Sequence, residues 1–263
     1  MDDIRTLSSE FLPDDFAPLP KGALDQDEIV RKPTTYVKDV WRAFRKNKVA
    51  LVSFIILLIL VFFVLFGPMM NSYDYVSNDY AKLNMPPNAE NWFGTDALGR
   101  DLWTRVWVGG RVSLLIALFA TAISYGLGMI IGGVSGFYGG RVDMTIMRII
   151  DILSGIPELV YMTLLMLVLG SGNVGTLVLA MSVTGWMGPA RSVRGQILQL
   201  KQREFVIASQ TLGASPARLI FKHLIPNFFG ITVVGMTMFM PGMIFDEAFL
   251  SYIGLGGTPP FPS

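Results

Sequence analysis

The stretch Arg203-Glu204-Phe205-Val206-Ile207-Ala208-Ser209-Gln210-Thr211-Leu212-Gly213-Ala214-Ser215, continued by Pro216 to Asn227, decides how the chain is read. It is a polar interruption between two long apolar segments. Arg191, Arg194, Lys201, Arg203, Arg218 and Lys222 stand in or beside it, and Glu204 is its only acid. Clustered basic residues between spans mark a cytoplasmic loop. Val206, Ala208, Ser209, Leu212 and Gly213 are small or apolar and follow helical spacing. Gly213 is expected to end a first short helix, because glycine accepts the left-handed cap. Ser215 then caps a second helix with Pro216 at its first position. A compact apolar knob on the cytoplasmic side needs a surface to bury it. The chain offers little soluble mass for that, so a separate cytoplasmic partner is implied.

Composition agrees with a membrane protein. Of 263 residues, 52% are hydrophobic and only 16% charged, far from a soluble globular average. The net charge is +1 and the basic residues sit in loops without aromatic interleaving, which argues against nucleic acid as a partner. The absence of cysteine excludes disulfide scaffolds, thiol catalysis and Cys-based metal sites. His223 is the only histidine and cannot make the usual zinc constellations, so no metal site is expected.

Outward from the central stretch, five spans are expected in an all-α, polytopic chain. Residues 1–33 are acidic and proline-punctuated and read as a flexible cytoplasmic tail, not a signal peptide. Residues 34–48 read as an amphipathic interfacial helix, with Tyr36, Val37, Val40, Trp41 and Phe44 on one side and Lys38, Arg42, Arg45, Lys46 and Lys48 elsewhere; a solvated lead-in is the alternative. Residues 49–66 form the first span, and the basic cluster before it places the N-terminus inside. Residues 67–112 form an extracytoplasmic loop of mixed charge, ending in an amphipathic helix over 102–112.

The second span runs from Ser113 to about Gly136. Gly128, Gly132, Gly136 and Gly140 recur every fourth residue, the pattern of a close-packed helix seam. A short inner turn over 137–143 leads to the third span, Met144 to about Leu169. There Arg148 and Asp151 stand one turn apart and could pair, and Pro157 is expected to kink the helix. Glu158 then falls near mid-membrane, where an acid is costly. It either lines a substrate pathway, with Asp246 and Glu247, or is hydrogen-bonded against a neighbouring helix; structural pairing is the other reading for those two. The fourth span runs from Val174 to about Gln199. The fifth runs from Phe228 to about Ile253, bent by Pro241. Basic loops fall on alternate sides, so the chain ends outside.

Several of these stretches resemble one family. The central loop is similar to the coupling loop of ATP-binding-cassette importer permeases, an acid-Ala-Ala triplet followed after three residues by Gly and later by Leu-Pro. Here the triplet is Ile207-Ala208-Ser209, the glycine is Gly213 and the closing pair is Ile225-Pro226. Ile207 stands in place of the acid and Ser209 in place of the second Ala. Phe93-Gly94-Thr95-Asp96-Ala97-Leu98-Gly99-Arg100-Asp101 resembles the signature of the dipeptide, oligopeptide and nickel permeases. Trp186, Ala190, Arg191 and Arg194, His223 with Pro226-Asn227, and Glu247 to Gly256 resemble it further.

The resemblance implies the type I importer permease fold, in which the family has six spans, so a further span beyond this sequence is expected. It implies a non-catalytic permease subunit for peptides in the bacterial inner membrane, working by alternating access. Its implied partners are a second homologous permease, two cytosolic ATP-binding subunits and an extracytoplasmic peptide-binding protein. The docking residues carried over are Glu204, Ile207, Ala208, Ser209, Leu212, Gly213, Ala214 and Pro226. The chain has no Gly-x-x-x-x-Gly-Lys-Ser/Thr, so ATP and Mg would be used by the partner subunits and no cofactor is expected on this chain. Other readings are an importer of nickel or another small solute, an ion-coupled transporter with Glu158 as proton relay, and an intramembrane enzyme using a carboxylate pair among Asp151, Glu158, Asp246 and Glu247.

Overall fold

The computed structural model describes residues 36–170 and 173–257, and every regular element among them is helical. The acidic stretch 1–33 lies outside the described residues. The chain divides into two units, one ending at Leu57 and one beginning at Leu58.

In the first unit, α1 (Tyr36–Lys46) is followed after one residue by α2 (Lys48–Phe66), which continues past the boundary. The expected single helix over 34–48 is therefore interrupted at Asn47. Its side-chain oxygen accepts from the Ala50 N–H at 3.1 Å and starts α2 afresh. α2 is apolar on all sides, and Ile55 to Leu60 are exposed around its circumference, as expected of a helix whose solvent is lipid.

The second unit is built on α3 (Leu102–Tyr138), whose 37 residues extend about 55 Å. The amphipathic helix expected over 102–112 and the span expected over 113–136 are thus one element. No proline or cap intervenes, and Gly109 and Gly110 alone do not break it. α3 ends at Gly139 (φ 67°), and α4 (Gly140–Ser154) starts at once, so the expected turn over 137–143 shrinks to a glycine joint.

α4 and α5 (Glu158–Leu169) meet at 82°. The expected kink at Pro157 is therefore a full break. Pro157 has no N–H to continue the ladder and biases Ile156 away from helical geometry. α6 (Val174–Gly185) and α7 (Met187–Lys201) are separated only by Trp186, whose backbone stays helical. Pro189 cannot donate to the Gly185 carbonyl, and the ladder lapses there. The short helices α8 (Glu204–Thr211) and α9 (Pro216–Arg218) follow. A π-helical turn (Leu219–Leu224) then leads into α10 (Ile225–Tyr252). By length and composition α2, α3 and Pro216–Tyr252 can each cross a membrane, the α4–α5 pair adds a fourth crossing if counted as one bent span, and α6 is a shorter apolar helix.

α3 packs most extensively on α7, through glycines. A Cβ on Gly128 would come within 2.6 Å of the Pro189 Cβ, one on Gly132 would strike the Ala190 carbonyl oxygen, and one on Gly136 would stand 3.0 Å from the Arg194 oxygen. The seam expected from the four-residue repeat is present at those three positions. Gly140 is not part of it, because its φ of 54° makes it a helix-breaking joint with open space around it. One core cluster joins Ile116, Ala120, Met162, Met166, Leu177, Met181, Met243 and Leu250. A second joins Val193, Ile197, Val206, Leu219, Leu224 and Phe228.

Candidate functional site

The elbow between α8 and α9 is set by local rules. Gly213 has φ 77°; the Ala214 N–H returns to the Ser209 carbonyl at 3.0 Å and the Gly213 N–H to the Gln210 carbonyl at 2.9 Å. That pair of bonds is the Schellman arrangement, which glycine closes without a Cβ penalty. Ser215 accepts from the Arg218 N–H at 3.4 Å, with Pro216 opening the next helix.

The elbow is anchored by one side chain and bare on the other side. Val206 is fully buried in the second core cluster. Leu212 is 88% exposed, Ile207 49% and Phe205 41%, and Ala208, Gly213 and Glu204 are exposed beside them. Ser209 is half-buried and donates to the Phe205 carbonyl at 2.8 Å; Ala214 is half-buried against the second cluster. Glu204 stands in the first turn of α8, where the helix dipole favours a carboxylate. The result is an exposed apolar knob pinned by a buried valine.

Pro226 belongs elsewhere. It lies about 15 Å along the axis from Pro216 and does not share the knob. It lies in the first turn of α10, directly after the π-helical turn, whose last bond runs from the Ile225 N–H to the Ile220 carbonyl. The Asn227 amide donates to the His223 carbonyl at 2.6 Å. The His-x-x-Pro-Asn pattern thus engages the histidine backbone. From Pro216 to Tyr252 the chain stays helical, so the loop expected to end at Pro226 passes directly into α10.

The acids separate into three situations. Glu158 opens α5 at the 82° break, uncovered by the rest of the chain and at the favourable end of a helix dipole. It faces the Thr184 hydroxyl of α6 and is within electrostatic reach of Asp246 of α10, so two of the expected pathway acids come together. Glu247 lies about 100° further round α10. It is 1% exposed and accepts from Ser113 of α3 at 2.6 Å and from Ser251 at 2.9 Å. Its role is a clasp between α3 and α10, not a lining. Asp151 takes Arg191 at 2.8 Å in place of the expected Arg148, an exposed pair of small energetic weight.

Other charged groups join the helices in ways spacing alone does not reveal. Asp143 of α4 pairs with Arg194 of α7 and accepts from Ser135 of α3. Lys201 donates to the Phe137 carbonyl at 2.6 Å, and Arg111 donates to the Val64 carbonyl at 2.7 Å. Each closes the carbonyl end of a helix with a cation, as the dipole favours.

Residues 67–101 form a hydrogen-bonded cap over the start of α3. Asp101 is 2% exposed and accepts from the Thr104 N–H at 2.9 Å, Asn71 at 2.8 Å and Asn91 at 2.9 Å. Burial alone pushes its carboxyl up, but those bonds outweigh burial and hold it below the usual carboxylate range. Asp96 is likewise held low against its burial by Arg100 and by the N–H groups of Arg100 and Leu98. Gly94 and Gly99 have φ of 75° and 77°, and a Cβ on either would collide with a backbone carbonyl. Trp103 donates to the Gly67 carbonyl at 2.8 Å within a cluster of Phe63, Trp92, Phe93 and Trp107.

These features define a polytopic helical membrane protein with a long helical stretch preceded by an uncovered apolar elbow. Comparison with known proteins gives the family. Residues 124–261 match the model described as the binding-protein-dependent transport system inner membrane component, and residues 35–87 match the N-terminal transmembrane domain of oligopeptide transport permease C. The oligopeptide transport system permease protein OppC of Bacillus subtilis (strain 168) is 46% identical over 94% of this chain and 81% of its own length. The dipeptide transport system permease protein DppC of the same organism is 46% identical over 91% of this chain and 74% of its own. OppC of Escherichia coli (strain K12) is 37% identical over 86% and 75%. The chain belongs to the family of binding-protein-dependent transport system inner membrane components. A solved inward-facing MetNI methionine transporter overlays with TM-score 0.47 at 21% identity, covering 57% of this chain and 76% of that one, too distant to place any residue here.

Proposed function

We propose that this chain is the membrane-spanning permease subunit of an ATP-driven importer of oligopeptides or dipeptides. A second, homologous permease completes the pathway, two cytosolic ATP-binding subunits grip the two elbows, and an extracytoplasmic peptide-binding protein delivers cargo. This chain performs no chemistry and binds no cofactor; ATP and Mg act on the partner subunits. The N-terminus and the elbow lie on the cytoplasmic side, where Lys38, Arg42, Arg45 and Lys46 before α2 and Arg203, Arg218 and Lys222 around the elbow fit the positive-inside rule.

The observation that carries this reading is the exposed knob at Leu212 and Gly213, just before the helical stretch Pro216–Tyr252 begins. Movement of the knob by an ATP-driven partner is transmitted along that stretch to Asp246, beside Glu158. Nucleotide shifts the inward–outward balance only if its partner contacts the elbow differently in the two states. Glu158 and Asp246 are the groups offered to the ammonium end or basic side chains of a peptide in transit.

Gly213→Asp tests the docking. A Cβ there meets nothing within 4 Å, so the fold tolerates the change apart from backbone strain, while the knob gains charge and bulk. Peptide-stimulated ATP turnover in proteoliposomes should be lost with the complex still inserted; normal turnover would refute the assignment.

A further inference from the structure

We propose that α1 is a binding surface for anionic phospholipid headgroups, held by its one-residue joint to α2 at the membrane face where that span begins. At 3.6 residues per turn, Lys38, Asp39, Arg42, Arg45 and Lys46 fall on an arc of about 120°, Val40 and Phe44 fall on the opposite side, and Trp41 stands at the border beside Arg45. The polar arc is four cations to one acid. Asp39 stands 3.9 Å from Arg42 with both side chains more than half exposed, so that pair neutralises little of the field.

The apolar side is open: Val40 is 49% and Trp41 56% exposed. Its placement is fixed by rings. Phe44 meets Phe54 edge-on at 5.6 Å and stacks on Trp41 at 5.7 Å. In one straight helix Phe44 and Phe54 would stand about 15 Å apart along the axis. The chain therefore turns at Asn47, and α1 leaves the axis of α2 rather than prolonging it. A groove of about 320 Å³ lies among Lys38, Trp41, Arg42, Arg45 and Lys46, cationic with one indole wall.

A free phosphate would satisfy the cations but leave Val40 and Trp41 in water. A phospholipid satisfies both faces, acyl chains against one and phosphate against the other, at the depth where tryptophan settles. The short joint to α2 keeps the helix at that depth. An acidic soluble protein would have to cover the same face beside a bilayer that already supplies both chemistries.

The test uses the full chain, purified and delipidated, and offered equal amounts of phosphatidylglycerol and phosphatidylcholine, with retained lipid counted by mass spectrometry. The wild type should retain phosphatidylglycerol about tenfold over phosphatidylcholine, and K38Q/R42Q/R45Q/K46Q should fall to near parity. Glutamine preserves helix propensity, so the apolar face stays in place. Millimolar inorganic phosphate should leave the preference intact, and raised salt should erode it. An unchanged preference in the variant, no preference in the wild type, or full displacement by inorganic phosphate would overturn the proposal. Should the variant fail to fold, the salt titration of the wild type decides: erosion supports the proposal and a salt-independent preference overturns it.

Discussion

Between α2 and α3, residues 67–101 turn polar side chains inward; between α7 and α10, the elbow turns Phe205, Ile207 and Leu212 outward. Both are polar-looking interruptions, and both carry motifs that resemble one family. In the first, Asp96, Asp101 and Asn71 find their partners within the chain, the Asn91 amide donates to Asp101, and Gly94 and Gly99 have backbone against them. In the second, Gly213 has empty space around it and Leu212 is bare. A motif whose groups are mostly used internally builds architecture. One whose apolar groups are left uncovered offers a surface.

That contrast is broken most directly by exchanging charges at the two places. Leu212→Asp should abolish peptide-driven ATP turnover, more than tenfold, with almost no loss of stability, because the side chain is already in solvent. A variant with normal turnover, or one that unfolds, would erase the difference between the segments. Asp101→Ala should do the reverse. It removes a helix cap and strands the Asn71, Asn91 and Thr104 donors, which costs on the order of 3 kcal/mol, read as a lower unfolding temperature. Coupling per folded molecule should stay normal.

Glu158→Gln is expected to have a smaller effect, a few-fold change in the preference among basic, neutral and acidic peptides with little change in stability. Identical uptake of all three would return Glu158 to a structural role. The gentlest test is acid. Asp96 and Asp101 have folded-state values below the unfolded 3.8, so their stabilisation is complete above about pH 4 and is lost as the pH falls through the folded values. Thermal unfolding between pH 6 and pH 3 should show that loss in the wild type and a flatter profile in Asp101→Asn.

The elbow was legible because its determinants are local. Gly213, Ser215 and Pro216 obey capping rules that act within a few residues. The spans were legible because lipid demands long apolar runs. What spacing could not supply was partner choice across helices. Asp151 stands one turn from Arg148, yet Arg191 of α7 reaches it. Glu247 lies beside Asp246 in sequence but about 100° round the helix, and its bond to Ser113 is what spacing does not reveal. Gly140 extends the four-residue repeat by coincidence, since its left-handed backbone ends the helix. Pro226 resembles the end of a loop, yet it stands in the first turn of α10, directly after the π-helical turn.

The central claim is that the elbow is held by an ATP-hydrolysing partner, and the absence of cysteine makes a direct measurement available. Leu212→Cys would carry the chain's only thiol. Labelled with a photo-crosslinker in the assembled importer, it should attach to the ATP-binding subunit, with a yield that changes when ATP is added. Attachment only to lipid or to the permease chains, with the ATP-binding subunits present, would contradict the account.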